Sequence, residues 1–376
     1  MNPTVPLMDP RRAYLAYREE FDGALRSVLE RGTYILGPNV AEFESAFAAW
    51  SALRSLVAVA NGTDAIELAL RTLGVGPGDA VFTVSHTAVA TVAAIELCGA
   101  RPVLVDIDPA TYTIDPQKLQ DSIARSAEAG RPKAVVAVHL YGQPCDLASV
   151  REICERHGLL LIEDCAQAHG ARFDGEPVGA RADAASFSFY PTKNLPAFGD
   201  GGAVGFKNAD HAQHCRALRE YGWRERYVSD IAGMNSRLDE LQAALLNVRL
   251  RHLDAEIDSR RRAARYYSEH LRGLVQTPAV APRSEHAWHL YVVRSTRRQE
   301  LREALQRQGI GTGIHYPVPV HLQPAYHKRV LVGAGGQSAT EAAAAQILSL
   351  PMHPFLTTDE LALVVTGVRN WHEAAA

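Results

Sequence analysis

The sequence predicts an α/β fold in which a mainly parallel sheet of seven strands has helices on both faces, followed by a smaller α+β unit. From Leu56 onward, short apolar runs alternate with segments of helical periodicity, which is typical of parallel sheets with crossover helices. The chain has 376 residues, more than a single compact core usually contains. Two domains are therefore expected.

The composition is that of an ordinary globular protein, with 47% hydrophobic and 22% charged residues. A net charge of -3 argues against a surface that binds polyanions. No apolar run is long enough to span a bilayer, and the N-terminus lacks the apolar core of a signal peptide, so a cytoplasmic location is expected. The 5 cysteines form no C-x-x-C pair, which predicts reduced thiols without a disulfide framework or zinc site.

Two helices are predicted before the sheet. Residues 11–32 carry apolar side chains at helical spacing, and Gly32 is a suitable residue to end that helix. After a turn at Gly37 and Pro38, a second amphipathic helix extends to Trp50. Both helices are explained by packing alone.

Seven apolar runs are the predicted strands of the sheet. These are Leu56–Ala60, Ala80–Val84, Pro102–Asp106, Ala134–Leu140, Leu159–Glu163, Ala184–Phe189 and Ala203–Phe206. The helices predicted between the first five are Asp64–Leu73, Val89–Cys98, Pro116–Ala129 and Leu147–His157. Because ligands of such sheets bind at the carboxyl ends of the strands, the residues that follow each strand are the candidates for function.

The remainder of the chain predicts a long helix and a smaller domain. Residues 236–272 have one apolar stripe at helical spacing and are predicted to bridge the two domains. Beyond the linker prolines, the predicted elements are a strand at 289–294 and helices at Gln299–Gln308, Glu341–Leu348 and Thr358–Trp371. We expect a large domain at 1–250 and a small domain at 251–376.

A glycine turn follows the first strand. Asn61, Gly62 and Thr63 lead directly into a helix, and a helix N-terminus offers free backbone N–H groups and the positive end of the helix dipole. This is a suitable seat for a phosphate, although a plain N-cap explains the same residues. The pattern is neither a P-loop nor a dinucleotide fingerprint, because both require more glycines at fixed spacing.

An acidic residue ends the apolar fifth strand. Asp164 follows the run LLLIE, and a half-buried carboxylate is costly without a cationic partner. A protonated pyridine nitrogen would supply that cation and would be kept protonated by the carboxylate. A structural salt bridge is the alternative.

A single lysine lies on a tight loop between the last two predicted strands. Ser188 lies near the end of the sixth strand, Pro191 breaks the strand pattern, Lys193 follows, and a glycine-rich turn leads into the seventh strand. A desolvated lysine has a lowered pKa and becomes a usable nucleophile toward carbonyl compounds such as pyridoxal phosphate. The alternative is an ordinary surface lysine on a glycine loop.

Together, the phosphate seat, the acid and the lysine are the groups that a pyridoxal phosphate site requires. On this set and on six ordered segments, the chain resembles the DegT/DnrJ/EryC1/StrS sugar aminotransferase family, which has the fold type I architecture of pyridoxal phosphate enzymes. The segments are YILGPNVAEFESAFA, NGTDAIELAL, LIEDCAQAHGA, SFSFYPTKNL with GDGGAV, MNSRLDELQAALL and GIGTGIHYPVPVHLQPAY. The resemblance extends over nearly the whole chain.

The resemblance implies a role for each matching residue. Lys193 would be the Schiff-base lysine and would later move the substrate proton, and Asp164 would pair with the pyridinium nitrogen. The other cofactor-binding residues implied are Gly62, Thr63, Gln167, Ser188 and, from the neighbouring subunit of a homodimer, Asn235. The residues expected near the sugar nucleotide are Tyr190, His315, Tyr316 and His321.

One position departs from the family pattern. The family commonly has an aromatic residue that stacks on the cofactor ring two places after the position of His86, and this chain has Ala88 there. Either His86 takes over the stacking or the ring is covered in another way.

The reaction implied is the transfer of an amino group from L-glutamate, by way of pyridoxamine phosphate, to a nucleotide-linked keto-6-deoxy sugar. Asp200, which stands where many relatives have glutamate, favours amination at C3 of a dTDP-linked sugar, with C4 as the alternative. A related dehydratase has histidine in place of Lys193, and its iron–sulfur variant needs a cysteine cluster. A non-catalytic protein that binds the sugar nucleotide is the remaining alternative. The histidines match no familiar metal-ligand pattern, so no metal is expected.

Overall fold

The structure, a computed structural model, describes residues 4–125 and 128–375. The helices of this part are α1 (Pro10–Ala16), α2 (Arg18–Arg31), α3 (Pro38–Trp50), α4 (Gly62–Thr72), α5 (Val89–Leu97), α6 (Pro116–Ala124), α7 (Leu147–His157), α8 (Ala209–Leu218), α9 (Glu240–His270), α10 (Arg298–Arg307), α11 (Ser338–Gln346) and α12 (Thr358–Ala375).

The strands of the same part are β1 (Ser55–Val59), β2 (Asp79–Val84), β3 (Arg101–Val105), β4 (Arg131–Val138), β5 (Leu160–Asp164), β6 (Arg172–Phe173), β7 (Glu176–Pro177), β8 (Ala184–Ser188), β9 (Gly202–Phe206), β10 (Trp223–Glu225), β11 (Val228–Ser229), β12 (Ser284–Glu285), β13 (Tyr291–Arg294), β14 (Leu331–Val332) and β15 (Ile347–Leu350).

The central sheet confirms the predicted fold class. Its strand order is β1-β9-β8-β5-β4-β2-β3-β14, and β9 is antiparallel to both of its neighbours while the other pairings are parallel. All seven predicted strands are present, and the two-residue β14 extends the edge beyond them. The carboxyl ends of β1, β2, β4, β5 and β8 therefore lie along one edge of the sheet.

Two apolar layers cover the two faces of this sheet. Along β1, Val57 and Val59 pack into the layer formed with α4, α5 and α8, whereas Leu56 and Ala58 pack into the layer formed with α3, α6, α7 and the first half of α9. This alternation follows from the two-residue period of a strand. Helices therefore lie on both faces, as predicted.

A third core lies in the C-terminal part of the chain. It combines the second half of α9 with α10, α12 and the antiparallel pair β13–β15. The domain boundary predicted at residue 250 falls inside α9, a helix of 31 residues, and it stays a prediction. The short strand β14 pairs with β3, so this part of the chain also contributes to the large sheet.

Three helix predictions differ from the structure. The helix predicted at Pro116–Ala129 ends at Ala124, and residues 126 and 127 of that prediction lie outside the described residues. The helix predicted at residues 11–32 is interrupted at Tyr17, whose φ of -123° separates α1 from α2. The helix predicted at Glu341–Leu348 ends at Gln346, because Ile347 and Leu348 are buried in a strand that pairs with β13. Burial in a sheet there outweighs the helical spacing of the alanines before it.

Two further features concern the whole described chain. The five cysteines are buried free thiols, as predicted. Among the residues that the structure describes, no helix has the length and apolar character needed to cross a bilayer.

Candidate active site

A cavity of about 500 Å³ lies at the carboxyl edge of the central sheet. It is lined by residues that follow β1, β2, β5 and β8, as the strand-end rule predicts. Seven of the predicted site residues line it, namely Gly62, Thr63, Asp164, Gln167, Ser188, Tyr190 and Lys193. The others, His86, Asn235, His315, Tyr316 and His321, lie outside this lining.

Lys193 lies on the predicted loop between β8 and β9. Its backbone N–H donates to the carbonyl of Tyr190 at 2.8 Å, and the N–H of Ala197 donates to the carbonyl of Phe189 at 2.7 Å, so the loop is closed at both ends. Burial lowers the pKa of Lys193 to about 8, although the nearby charge of Asp164 acts in the opposite direction. The loop therefore presents an amine that is partly unprotonated near neutral pH.

Asp164 is the last residue of β5 and is almost fully buried. Its Oδ2 accepts a hydrogen bond from Thr91 Oγ1 at 2.9 Å, and its Oδ1 accepts one from the N–H of Ala166 at 3.1 Å. Burial raises its pKa, and the hydrogen bonds together with Lys193 counteract the rise. Among the described residues its carboxylate has no salt-bridge partner. A protonated ring nitrogen fits this carboxylate because it would supply the missing cation.

The N-terminus of α4 forms a second polar feature of the cavity. Asn61 caps the helix by accepting a hydrogen bond from the N–H of Asp64 at 2.9 Å, so the first N–H groups, those of Gly62 and Thr63, have no intrahelical acceptor. A Cβ on Gly62 would lie 2.6 Å from Ser188 Cβ. Glycine is therefore required for the Ser188 hydroxyl to lie beside the helix end, where both can bind one phosphate.

Gln167 connects the cavity wall to two aromatic residues. Its Oε1 accepts from the N–H of Tyr141 at 2.8 Å, and its Nε2 donates to the hydroxyl of Tyr316 at 3.2 Å. The hydroxyl of Tyr141 donates to the carbonyl of His315 and lies 2.8 Å from His86 Nε2. Through Tyr141, His86 and the segment at His315 are therefore tied to Gln167, although neither lines the cavity.

Ala88 stands where the family commonly has an aromatic residue that stacks on the cofactor ring, and its small side chain lies at the cavity surface. Ala88 lines the cavity, whereas His86 is only 1% exposed and bonds to Tyr141. Burial lowers the pKa of His86 to about 4, so this imidazole is neutral at pH 7. Its ring does not line the cavity, whereas the next two residues, Thr87 and Ala88, do.

The remaining predicted residues lie farther out. His321 is buried, with Nδ1 2.7 Å from Ser85 Oγ and Nε2 3.2 Å from Glu341. Asn235 is exposed next to Ser236, which donates to Asp64 at 2.6 Å. The segment that carries Asn235 is thus fastened to the start of α4, and Asn235 itself is exposed.

Thr91 was missed by the sequence analysis. It is 1% exposed in the first turn of α5, where it bonds to Asp164 and lies 3.0 Å from Thr87. A hydroxyl inside the otherwise apolar helix segment VATVAAI needs a hydrogen-bond partner. That requirement is the sequence feature that indicates a polar contact for Thr91. Its partner is 73 residues away in sequence, so the spacing did not reveal it.

A buried polar cluster supports the strands beside Asp164. His139 Nε2 lies 2.9 Å from Glu163 Oε2, and the N–H of Cys145 donates to His139 Nδ1 at 3.1 Å. Both ring nitrogens therefore have partners, with the proton on Nε2. Cys165 lies close to both side chains, and the contact between His139 and Glu163 joins the residue after β4 to β5.

Comparisons with known proteins identify the family that the chain matches. Residues 16–369 match the DegT/DnrJ/EryC1/StrS aminotransferase family. The chain is 45% identical over 373 residues to the dTDP-3-amino-3,4,6-trideoxy-α-D-glucose transaminase of Streptomyces venezuelae, covering 99% of this chain and 97% of that relative.

Two solved structures have the same fold over nearly the whole chain. The crystal structure of DesV from S. venezuelae, in complex with a ketimine intermediate, superposes with a TM-score of 0.94 at 45% identity and covers 99% of each chain. NtdA from Bacillus subtilis, with its cofactor PMP bound, gives a TM-score of 0.89 at 31% identity and covers 99% of this chain and 86% of that one.

Proposed function

Because the chain belongs to the DegT/DnrJ/EryC1/StrS aminotransferase family, we propose that it transfers the amino group of L-glutamate to carbon 3 of a dTDP-linked keto-6-deoxy sugar. The chain is a pyridoxal phosphate-dependent sugar aminotransferase. The donor, the sugar and the position of amination are the proposed parts. The observation that carries the proposal is the cavity in which Lys193, Asp164 and the N-terminus of α4 meet.

Three groups of the chain would hold the cofactor. The N–H groups of Gly62 and Thr63, with the Ser188 hydroxyl, would bind its phosphate. Asp164, oriented by Thr91 and by the N–H of Ala166, would hold a proton on the ring nitrogen. When bound, pyridoxal phosphate supplies an electron-withdrawing ring that stabilises negative charge at the carbon next to the transferred nitrogen.

Lys193 would hold the cofactor's carbonyl carbon and then act as an acid and a base. Its lowered pKa supports both tasks, because an amine with a pKa near 8 both releases and accepts a proton close to neutral pH. With L-glutamate, Lys193 Nζ would accept the proton from the donor's α-carbon and donate it to the cofactor's carbonyl carbon. With the sugar, it would move a proton in the opposite direction, from that carbon to the sugar carbon. One buried amine would thus serve both halves of a ping-pong reaction, first with L-glutamate and then with the sugar.

The remaining predicted residues take proposed roles around this centre. Gln167 would lie against the ring, and Tyr190, His315, Tyr316 and His321 would lie near the sugar nucleotide. Asn235 would reach the phosphate of the neighbouring subunit, which makes the enzyme a homodimer. The exposure of Asn235 and the anchoring of its segment through Ser236 support this role.

Amination at carbon 3 is supported by a close relative. The transaminase of S. venezuelae, whose name specifies a 3-amino sugar, is 45% identical over 99% of this chain. Amination at carbon 4 is the alternative, and a comparison of 3-keto and 4-keto sugar acceptors distinguishes the two positions.

The test is the visible spectrum of the purified holoenzyme during each half-reaction. L-glutamate should bleach the yellow colour, and a dTDP-3-keto-6-deoxy sugar should restore it, while the 4-keto isomer should not. Restoration by the 4-keto isomer alone would overturn the proposed position. If neither glutamate nor any other amino acid bleaches the colour, transamination is overturned. A protein that only binds the sugar nucleotide would then remain as the alternative.

Two lysine variants provide the matched comparison. Lys193→Ala should lower turnover by roughly 10³-fold or more, since it removes both the attachment point and the acid–base group. Lys207→Ala, which changes an exposed lysine beyond β9, should retain full turnover. Full turnover by the Lys193→Ala variant would contradict the mechanism.

A further inference from the structure

A second cavity, of about 260 Å³, lies on another side of Lys193. Lys193 lines both cavities, whereas the other lining residues of the two differ. The walls of the second cavity are mostly apolar and include Met8, Ala13, Phe198 and Phe355. Its polar lining includes Arg249, Arg260 and His353, none of which has a role in the mechanism so far.

Arg260 is a buried cation in this lining. It is 3% exposed, and its Nη1 donates to the backbone carbonyls of Trp288 at 3.1 Å, His289 at 3.4 Å and Met352 at 3.1 Å. In the described part of the chain, its Nε has no hydrogen-bond partner and its guanidinium has no salt bridge. Burial lowers its pKa to about 10, so it remains charged at pH 7. The nearby charge of Glu256 raises the pKa of Arg260 and so compensates the buried cation in part. It forms no direct salt bridge with Arg260, and a bound anion would complete the compensation.

His353 adds a second unpartnered group. It is 4% exposed, and within the described residues neither ring nitrogen has a hydrogen-bond partner. Burial and the nearby charges of Arg260 and Arg12 lower its pKa to about 4, so it is a neutral ring with one N–H to donate. Buried polar atoms are normally paired, and an unpaired one that lines a cavity indicates a ligand there.

Two carboxylates near this cavity are each paired with one arginine. Asp9, which lines it, accepts from Arg12 Nε at 3.1 Å, and Glu256 is bound to Arg249 Nη2 at 2.5 Å. Arg249 nevertheless keeps Nε and Nη1 without partners among the described residues. Glu256 Oε1 also has no hydrogen-bond partner among the described residues, but the unpartnered donors of Arg249, Arg260 and His353 outnumber this one carboxylate oxygen. That excess of donors suits an anion with several oxygen atoms.

We infer that the second cavity binds the distal carboxylate of a dicarboxylic amino donor through Arg260 and His353, and that the donor's amino group then lies at Lys193. The apolar walls suit the methylene groups between the two ends of such a donor. This inference rests on the proposed transamination and specifies how the donor is selected. An amino acid without a distal carboxylate gains nothing from the cavity.

The experiment compares two donors, L-glutamate and L-alanine, in the donor half-reaction. In the wild type, glutamate should be strongly preferred. The His353→Leu variant should raise the KM for glutamate about tenfold or more, because a hydrogen bond to a charged group is lost, and should leave the kinetics with alanine unchanged. Arg260→Gln, which retains a donor for the backbone carbonyls, should have the same effect. The exposed His157→Leu is the matched control and should behave as the wild type.

A binding measurement gives an independent readout. Glutarate, which has two carboxylates and no amine, should bind the cofactor-free wild type in a calorimetric titration and should bind the His353→Leu variant at least about tenfold more weakly.

The outcomes separate the inference from the function on which it rests. A wild type that transaminates with neither donor would overturn the proposed function. If the wild type transaminates and both variants keep its preference for glutamate and its affinity for glutarate, only the proposed carboxylate site is overturned. Equal losses with glutamate and alanine would also overturn it, because they would indicate a general structural lesion.

Discussion

The lowered pKa of Lys193 leads to a direct chemical prediction. An ordinary lysine has a pKa of about 10.4, so roughly one side chain in 2,500 is unprotonated at pH 7. With a pKa of about 8, roughly one in ten Lys193 side chains is unprotonated at that pH. Lys193 should therefore contain roughly 200-fold more free amine than an ordinary lysine at neutral pH.

Competitive acetylation of the cofactor-free protein measures this quantity. Trace acetic anhydride labels only unprotonated amines, and peptide mapping by mass spectrometry gives the extent of labelling at each lysine from about pH 6 to about pH 11. The exposed Lys207 serves as the internal reference in the same digest. Labelling of Lys193 should rise with an inflection near pH 8.

A variant of Asp164 tests the cause of the shift. Because the charge of Asp164 raises the pKa of Lys193 while burial lowers it, Asp164→Asn should move the inflection to lower pH. An inflection near the ordinary lysine value in the wild type would refute the burial argument. An inflection that moves upward in the variant would refute the assigned electrostatic effect of Asp164.

Three further outcomes are expected. Gly62→Ala should weaken pyridoxal phosphate binding by roughly tenfold or more in a fluorescence titration, because the new methyl group forces the Ser188 hydroxyl away from the start of α4, and unchanged affinity would contradict the phosphate seat. Thr91→Val should lower kcat roughly tenfold without unfolding the protein, because Asp164 loses a hydrogen bond that favours its ionised form. Thr91→Ser retains a hydroxyl and should therefore retain most of the wild-type kcat. Arg12 lowers the pKa of Glu360 to about 2, so this pair stabilises the fold above the ordinary glutamate pKa of about 4.3 and loses that effect as the pH falls to about 2. Urea denaturation should therefore give the wild type a larger unfolding free energy than Arg12→Met at pH 7. This difference should disappear as the pH falls from about 4.3 to about 2.

The predicted site residues that line the cavity are mostly those whose surroundings are local in the chain. Asp164 follows a predicted strand directly, and Gly62 and Lys193 lie on the loops that follow two others. Because these three strands run in the same direction, the position of the three residues at one sheet edge followed from the pattern. The family resemblance added Gln167 and Tyr190, both of which line the cavity.

The groups that were missed depend on contacts between distant segments. Thr91 matters because α5 brings it to Asp164, and Arg260 and His353 share a cavity although 93 positions separate them in the sequence. Charge and burial at such places are properties of the folded chain. Neither periodicity nor motif spacing reports them.

The same distinction explains the fold. The seven longer strands have enough apolar residues to define a pattern, whereas β14 has two residues and is a strand because β3 is beside it. The sequence of β15 predicts the end of a helix, but its residues form a strand because they pair with β13. Tertiary contacts outweigh local preference in such short elements.

The position of β14 has a consequence for fragments of the protein. Beyond its pairing with β3, the segment after β14 covers the same edge, since the N–H of Gly333 and the amide of Gln337 both donate to the carbonyl of Leu104 at 2.8 and 2.6 Å. A fragment cut at residue 250 would leave that edge open, with Val103 and Leu104 uncovered. Open apolar edges pair with other chains and aggregate. Expressed alone, the large domain should therefore be poorly soluble, although it would contain Lys193, Asp164 and the start of α4.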